Sequence, residues 1–470
     1  MGQRSRITFH MISILAIAVL TIKSVIRSGL FTMIVIFMAL LMFALTSNIQ
    51  PDGALTGTAR VFLTYYLGIT FAIICITTLW VSAGIATDID SRRIHMIAVK
   101  PVPMYRVWLG KWAGIVAINL ILLMILGALI MLSFKTPGFT SKHSAQQIES
   151  IKHDILAGHI MLTPRNENDN TEINVMIDDM YKQGLADEHT DRNKVKDLCI
   201  RQLMASRSIV SAGAVKSWTI DLPALGSQPA SPPRIGCRFQ SVARDIIPVK
   251  CKWTIDHGNS DTPVYSIITT NNLNEDIHIP LPASAVTGSR TLKVTLENLS
   301  SRQLILDSHK PLYLAIKADG FAGNLVRSLL VMLFNTALVA AVGITCGSLL
   351  SLPVATFCSS AILVIALLGQ SLAFLSSDRW SSPQHTHDHG SHTEKTLFDK
   401  ACERTAGLLS RAIAPAVSHD SISLVSDGIL VTWQFTFHAF LVQICGYSLG
   451  FAAIGSYFLR RREFGLPTRQ

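Results

Sequence analysis

Long runs without a charged residue alternate with polar segments along this chain, and run length sorts its residues into different kinds of structure. Charge-free apolar runs near residues 30–46, 61–86, 112–134, 328–352, 353–376 and 429–459 are long enough to cross a hydrocarbon layer of roughly 30 Å. They predict six membrane-spanning helices in two groups of three. A further apolar run, residues 7–22, follows a basic start as a secretory signal does, but no small-residue cleavage site follows before Leu30, so retention is expected. Laying it across the membrane would force Lys23 and Arg27 into a tight turn on the wrong face. An interfacial elbow helix within 1–29, with a polar stripe of Ser13, Ser24 and Arg27, avoids this.

Between the third and fourth runs, residues 135–323 change pattern partway. Apolar residues first recur at helical spacing: Ile148, Ile151 and Ile155 ahead of Gly158, then Val195, Leu198 and Leu203. Residues 144–210 are therefore expected to be helical. From Trp218 the period falls to two. Trp218, Ile220 and Leu222 alternate with polar neighbours, as do Val249, Cys251, Trp253 and Ile255 with Lys250, Lys252 and Thr254. Ile277, Ile279 and Leu281, then Leu292, Val294 and Leu296, and finally Leu312, Leu314 and Ile316 continue the alternation. Roughly seven short strands of this kind predict an antiparallel β-sandwich over 215–320. The expected fold class is an α-helical polytopic membrane protein: helices 1–3 in 30–134, 4–5 in 324–376 and 6 in 429–459. A large external α+β insertion, 135–323, ends in the sandwich.

Composition agrees with this outline. Hydrophobic residues are 49% of the chain and charged residues 15%, with a mean hydropathy of +0.39, which fits a membrane protein with a sizeable aqueous part. Basic side chains near span ends are retained in the cytoplasm. With both termini inside, the cytoplasmic pieces hold Arg4, Arg6, Lys23, Arg27, Arg92, Arg93, Lys100, Arg106, Lys111, Arg460, Arg461, Arg462 and Arg469 against Asp88, Asp90 and Glu463. That edge carries the whole net charge of +10 and leaves the other side balanced. The excess of base, including the tail 460–470, is thus a topology signal in the cytoplasmic membrane, and nucleic acid is set aside as a partner.

The spans hold no acidic or basic residue near their middles, whereas carriers driven by ion gradients normally keep one there. Their polar residues are Asn119, Asn335, Gln370, Gln434, His438 and Gln443; the first five line a candidate substrate path or join helices by hydrogen bonds. Arg327 reads as an interfacial anchor. Outside the spans, Cys237 is in phase with Ile235 and Phe239, and Cys251 with Val249 and Trp253, so both point into the sandwich core. A Cys237 to Cys251 disulfide is one outcome and two buried free thiols the other. The second external piece, 377–428, contains His385, His387, His389 and His392. Imidazole tracts can hold zinc, copper or nickel, but this spacing fixes no tetrahedron, so the segment reads as a polar loop with incidental metal affinity. Short re-entrant helices are expected after it.

The densest charge lies in "ATDIDSRRIHMIAVKPVPMYRVWLGKW", residues 86–112. Asp88 and Asp90 are expected at a helix beginning, favourable for carboxylates, with Arg92 placed to pair with Asp88. Pro101 and Pro103 then stop that helix. Tyr105, Trp108 and Trp112 form an aromatic stripe at the membrane edge, with Arg106 and Lys111 snorkelling beside it. A rigid cytoplasmic helix and proline corner over 88–104 result.

The order of these parts resembles the permease subunits of type-2 ATP-binding-cassette transporters: elbow helix, two spans, cytoplasmic coupling helix, a third span, then three more with short external helices before the last. The sequence "SRRIHMIAVKPVPMYRVWLGK" carries the likeness on Arg92, Arg93, Lys100, Pro101, Val102, Pro103, Gly110 and Lys111. The resemblance implies ATPase coupling through Asp88, Asp90, Arg92, Arg93, Lys100, Pro101 and Pro103. It also implies a dimer with a second copy or a similar permease, and export as the direction. No Gly-x4-Gly-Lys-Ser/Thr loop is present, so no cofactor is expected on this chain, and ATP and Mg belong to a separate ATPase subunit docked under 88–104 and the turn at 346–353. The competing reading is a membrane-anchored binding or sensory protein whose external sandwich recognises a ligand or partner. An enzyme is not expected, because no nucleophile, base and orienter can be assembled.

Overall fold

The computed structural model describes residues 3–48, 55–91, 103–134, 155–165, 170–183, 192–223, 231–240, 248–257, 264–273, 276–286, 290–307, 312–376 and 419–461. They fall into two compact units, Met1–Leu156 with Gly320–Gln470, and Ala157–Asp319. The first unit opens with α1 (Gln3–Arg27), more than a turn longer at each end than the run of residues 7–22 predicts, followed by α2 (Leu30–Asn48). Between them Gly29 takes φ 77°, a left-handed turn that glycine adopts without strain, and the two helices meet at 59°. α3 (Leu55–Ala83) runs on through Gly84 into α4 (Ile85–Asp90), and α5 covers Met104–Ser133.

The second unit begins with β1 (Ala157–Leu162), then α6 (Asn170–Lys182) and α7 (Arg192–Ser208). Gly158 therefore lies inside a strand rather than after a helix, and Ile155 just before it is not helical; Ile148 and Ile151 lie outside the described residues. On α7 the buried stripe is Val195, Cys199 and Leu203, at i, i+4 and i+8, packed on Ile173 and Ile177 of α6. Leu198 is off that stripe and 48% exposed, which corrects its expected place on the buried face. Among the described residues nine strands follow: β2 (Ile209–Val210), β3 (Val215–Asp221), β4 (Arg234–Gln240), β5 (Pro248–His257), β6 (Tyr265–Asn272), β7 (Asp276–Pro280), β8 (Thr291–Asn298), β9 (Leu304–Leu306) and β10 (Tyr313–Gly320).

One sheet has the order β3-β8-β5-β6, and the other the order β1-β10-β4-β9-β2 with β7 also on β4. Pairing is antiparallel throughout the first, with Trp253 opposite Leu296 and Ile267. The alternating residues of both sheets bury into one core, where Phe239 of β4 stacks on Trp253 of β5 at 6.4 Å. Period-two runs produce this because successive side chains point to opposite faces. β6 escaped the period-two count because none of its residues is fully buried; it is an edge strand. The buried Asn298 is fully used: its amide donates to the carbonyls of Ser211 and Arg302, and its oxygen accepts from Ser300 N–H.

The first unit resumes with α8 (Phe321–Leu349) and α9 (Leu352–Ser376). α10 (Ser421–Ser426) and α11 (Trp433–Phe440) lead through a π-helical stretch (Leu441–Ser448) into α12 (Leu449–Arg461). Among the described residues four helical runs are long and apolar enough to cross a membrane: Ala59–Asp90, Met104–Ser133, Phe321–Leu349 and Trp433–Arg461. The bent pair Ile12–Arg27 with Leu30–Thr46 makes a fifth when taken as one, and Leu352–Ile365 is a shorter apolar helix. Against the six runs of the pattern, four or five candidates are thus seen among the described residues by length and composition.

Apolar helices in a bilayer gain no hydrophobic free energy by associating, so small residues that allow close approach decide which faces meet. A Cβ on Gly110 would sit 2.7 Å from Ile17, and one on Gly114 2.8 Å from the Ala18 carbonyl, so α1 lies directly against α5. On α8, a Cβ on Gly343 would strike Ser82, and one on Gly347 would lie 2.7 Å from the Ala83 carbonyl. α12 reaches α5 at Gly455, whose Cβ would lie 2.6 Å from Trp108 Nε1. These three glycine seams draw α1, α3, α5, α8 and α12 together.

Candidate functional site

At the α4 end of the bundle, Asp88 and Asp90 lie in the last turn of the helical run Ala59–Asp90, not at a helix beginning. A carboxylate there faces the negative end of the macrodipole. Asp88 is offset by the Lys111 ammonium of α5, with which it forms a half-buried ion pair. Lys111 therefore does not snorkel. Arg92, Arg93, Lys100 and Pro101 lie outside the described residues, so the pairing of Arg92 with Asp88 does too. Pro103 is the extended N-cap of α5, φ −65° and ψ 140°, which is why that helix starts at Met104, well ahead of residue 112.

The expected aromatic stripe divides. Tyr105 is 46% exposed, but Trp108 is 1% exposed and packs on Ile85, Ile89, Ala340, Ile344 and Leu459. Trp112 stacks on Trp108 at 6.3 Å and donates its indole N–H to the Ala337 carbonyl at 2.8 Å. Arg106 is buried as well, its Nε donating to the Tyr105 hydroxyl. The helical phase turns positions 108 and 112 toward α8, where small residues Ala337, Ala340 and Ala341 leave room. Spacing by three and four defines a face, and only packing says what that face meets.

Mid-helix polar residues are brought together in pairs. Thr78 of α3 and Asn119 of α5 exchange hydrogen bonds at 3.0 and 3.1 Å. They border a narrow recess lined mainly by Val25, Phe31, Ile34, Val81, Ile118 and Leu122. Gln443, fully buried in the π-helical stretch, donates to Asn335 Oδ1 of α8. A π-helix widens the backbone ladder, and such turns recur at functional positions. Gln434 is exposed on α11, and Gln370 lies in the part of α9 whose side chains are outside the described residues. Among the described residues, Asn119 and Asn335 each bind another helix, and no ionisable side chain lines the recess beside Asn119.

The opposite end of the bundle is about 42 Å away, taking about 1.5 Å of rise for each residue between Arg60 and Asp88. Here residues 419–432 are fastened to α3 and α8. Arg60 pairs with Asp427 at 2.7 Å. Ser328 and Ser421 each donate a hydroxyl to the other's carbonyl. Asn324 donates to the Ile429 carbonyl and accepts from Val431 N–H. Arg327, expected as an interfacial anchor, is buried with its guanidinium 5.6 Å over the Trp433 ring. Of the two candidate-path residues on α11, Gln434 and His438, the second bonds His419, Nδ1 to Nε2, at 2.8 Å. Sequence reasoning passed over His419, and nothing in its spacing marks it. The Gly343 and Gly347 pair was legible as a small-residue motif and was not used.

The disulfide is absent. Cys237 and Cys251 are both buried and not joined to each other, on β4 of one sheet and β5 of the other; both fill the shared core. Burial pushes the Cys251 thiol up to about 11, which keeps it protonated and unreactive. Among the described residues no group of three or more His, Cys, Asp or Glu side chains is placed to hold a metal; His385, His387, His389 and His392 lie outside them. No protein-family model, curated protein or solved structure matches this chain.

Proposed function

We propose that this chain is the membrane-spanning permease subunit of a type-2 ATP-binding-cassette transporter. It exports a substrate across the cytoplasmic membrane while a separate subunit binds ATP with Mg and hydrolyses it. One observation carries the reading. The basic, proline-containing segment 91–103 joins two long apolar helical runs, Ala59–Asp90 and Met104–Ser133, and the Asp88/Lys111 ion pair clasps the ends of those runs to each other. A push on such a segment moves α4 and α5 together, and Gly347 against Ala83 and Ile85 passes it to α8. The bend at Gly29, which makes an elbow, and the short helix α10 ahead of the last long helix support the same order of parts. In this reading α2 and α9 complete six spans, α1 lies in the interface, both termini are cytoplasmic, and the two sheets of the second unit form an external sandwich. Two such chains, or this chain and a similar permease, pair in the bilayer.

The compactness of the second unit favours one other reading, a membrane-anchored binding protein with the helices as scaffold. Co-purification separates the two. The permease is expected to carry along a nucleotide-binding subunit and to stimulate its ATP hydrolysis. Reversing Arg92 and Arg93 together to Glu is expected to lower that rate at least about tenfold, a loss of roughly 1.4 kcal/mol in coupling. An unchanged complex and rate would overturn the assignment of 88–104 as the docking segment.

A further inference from the structure

The fastening of residues 419–432 contains one bond that protons can switch. His419 is 4% exposed, its ring 5.2 Å from Phe435 and 5.1 Å from His438, with Nε2 and Nδ1 2.8 Å apart. His438 is exposed on the first helix of the last long apolar run. The elements packed around this end are α3, α8, α10 and α11. Among the described residues their charged groups are Arg60 with Asp427, Arg327 over Trp433, and Asp420, whose carboxylate accepts from Ile422 and Ser423 N–H. The Ser328/Ser421 and Asn324 bonds carry no titrating group.

We propose that His419 and His438 form a proton-operated latch between residues 419–432 and the last long helix. Two neutral imidazoles share one bridging N–H, and adding one proton leaves that bridge in place because the new N–H points away, giving a charge-assisted bond. A second proton puts N–H on both facing nitrogens and two positive charges in contact, so the bond cannot survive. The closed form therefore binds at most one extra proton and the open form two. Closure is therefore complete while the pair carries at most one extra proton and is lost on the second protonation, so falling pH opens the latch. With the latch closed the bond holds the turn to the helix; with it open the turn keeps its serine, asparagine and arginine contacts and the packing of Val425 and Val431. The latch does not depend on the transport reading.

Hydrogen–deuterium exchange of the full chain in lipid nanodiscs, followed from about pH 7.5 to about pH 4.5 and corrected for intrinsic exchange, tests it. Peptides covering 419–432 are expected to lose about tenfold in protection, while α8 peptides keep theirs. In His438→Asn, whose amide takes the place of Nδ1 without titrating, and independently in His419→Gln, the step is expected to vanish, with α8 protection at the higher pH showing that each variant is folded. Protection that does not change with pH in the unaltered chain, or a step that survives in a folded variant, overturns the latch.

Discussion

Gly347→Ala tests the seam between α8 and α3. The added Cβ would lie 2.7 Å from the Ala83 carbonyl oxygen, 2.7 Å from Ile85 Cγ2 and 3.1 Å from Ala83 Cα. Carbon makes comfortable contact at roughly 3.5 Å. The Ile85 side chain can turn aside, but the Ala83 backbone is held in a helix, so α8 must back away. Overpacking of this kind costs about 1–3 kcal/mol, and replacing glycine in a helix returns up to about 1 kcal/mol. A net loss of about 1–2 kcal/mol is expected. Gly450→Ala is the matched control, since nothing lies within 4 Å of its Cβ position; it should be neutral or stabilised by up to about 1 kcal/mol. Unfolding by sodium dodecyl sulfate in mixed micelles, followed by tryptophan fluorescence, reads both. If the two variants unfold at the same detergent fraction, close packing of glycine on Ala83 is not what joins these helices.

Other consequences can be checked in the same preparations. At pH 8 the folded Cys251 thiol should react with iodoacetamide at least about 100-fold more slowly than in urea, because moving it from 9.0 to about 11 removes about that fraction of thiolate. Folding favours the neutral thiol, so its contribution is complete below the ordinary thiol range and is lost as pH rises through about 11. Asn119→Leu should cost about 1 kcal/mol and no more, since the Thr78 hydroxyl can turn to a carbonyl of its own helix; detergent unfolding measures it. Asp420→Ala removes the side chain that caps α10 at Ile422 and Ser423 and should weaken that helix by about 1 kcal/mol, seen as faster amide exchange over residues 421–426.

Run length and period determined the broad outline by themselves. A charge-free run of twenty or more residues has few alternatives to a buried or membrane helix, and strict alternation from Trp218 to Ile316 has few alternatives to strands with one buried face. Both periods follow from backbone geometry, so they can be read without neighbours. Tertiary structure decided the rest. Asp88 and Lys111 are 23 residues apart, and only the return of α5 beside α4 makes them partners. Trp108 carries an amphipathic side chain suited to a membrane edge, yet the alanines of α8 and Gly455 of α12 leave space that draws it inward. Cys237 and Cys251 share an inward phase on opposite sheets, and phase alone does not say whether two sulfurs meet. His419 has no pattern at all. It becomes notable because chain folding sets its Nε2 against His438, and contact between residues on different elements is information that a one-dimensional period does not contain.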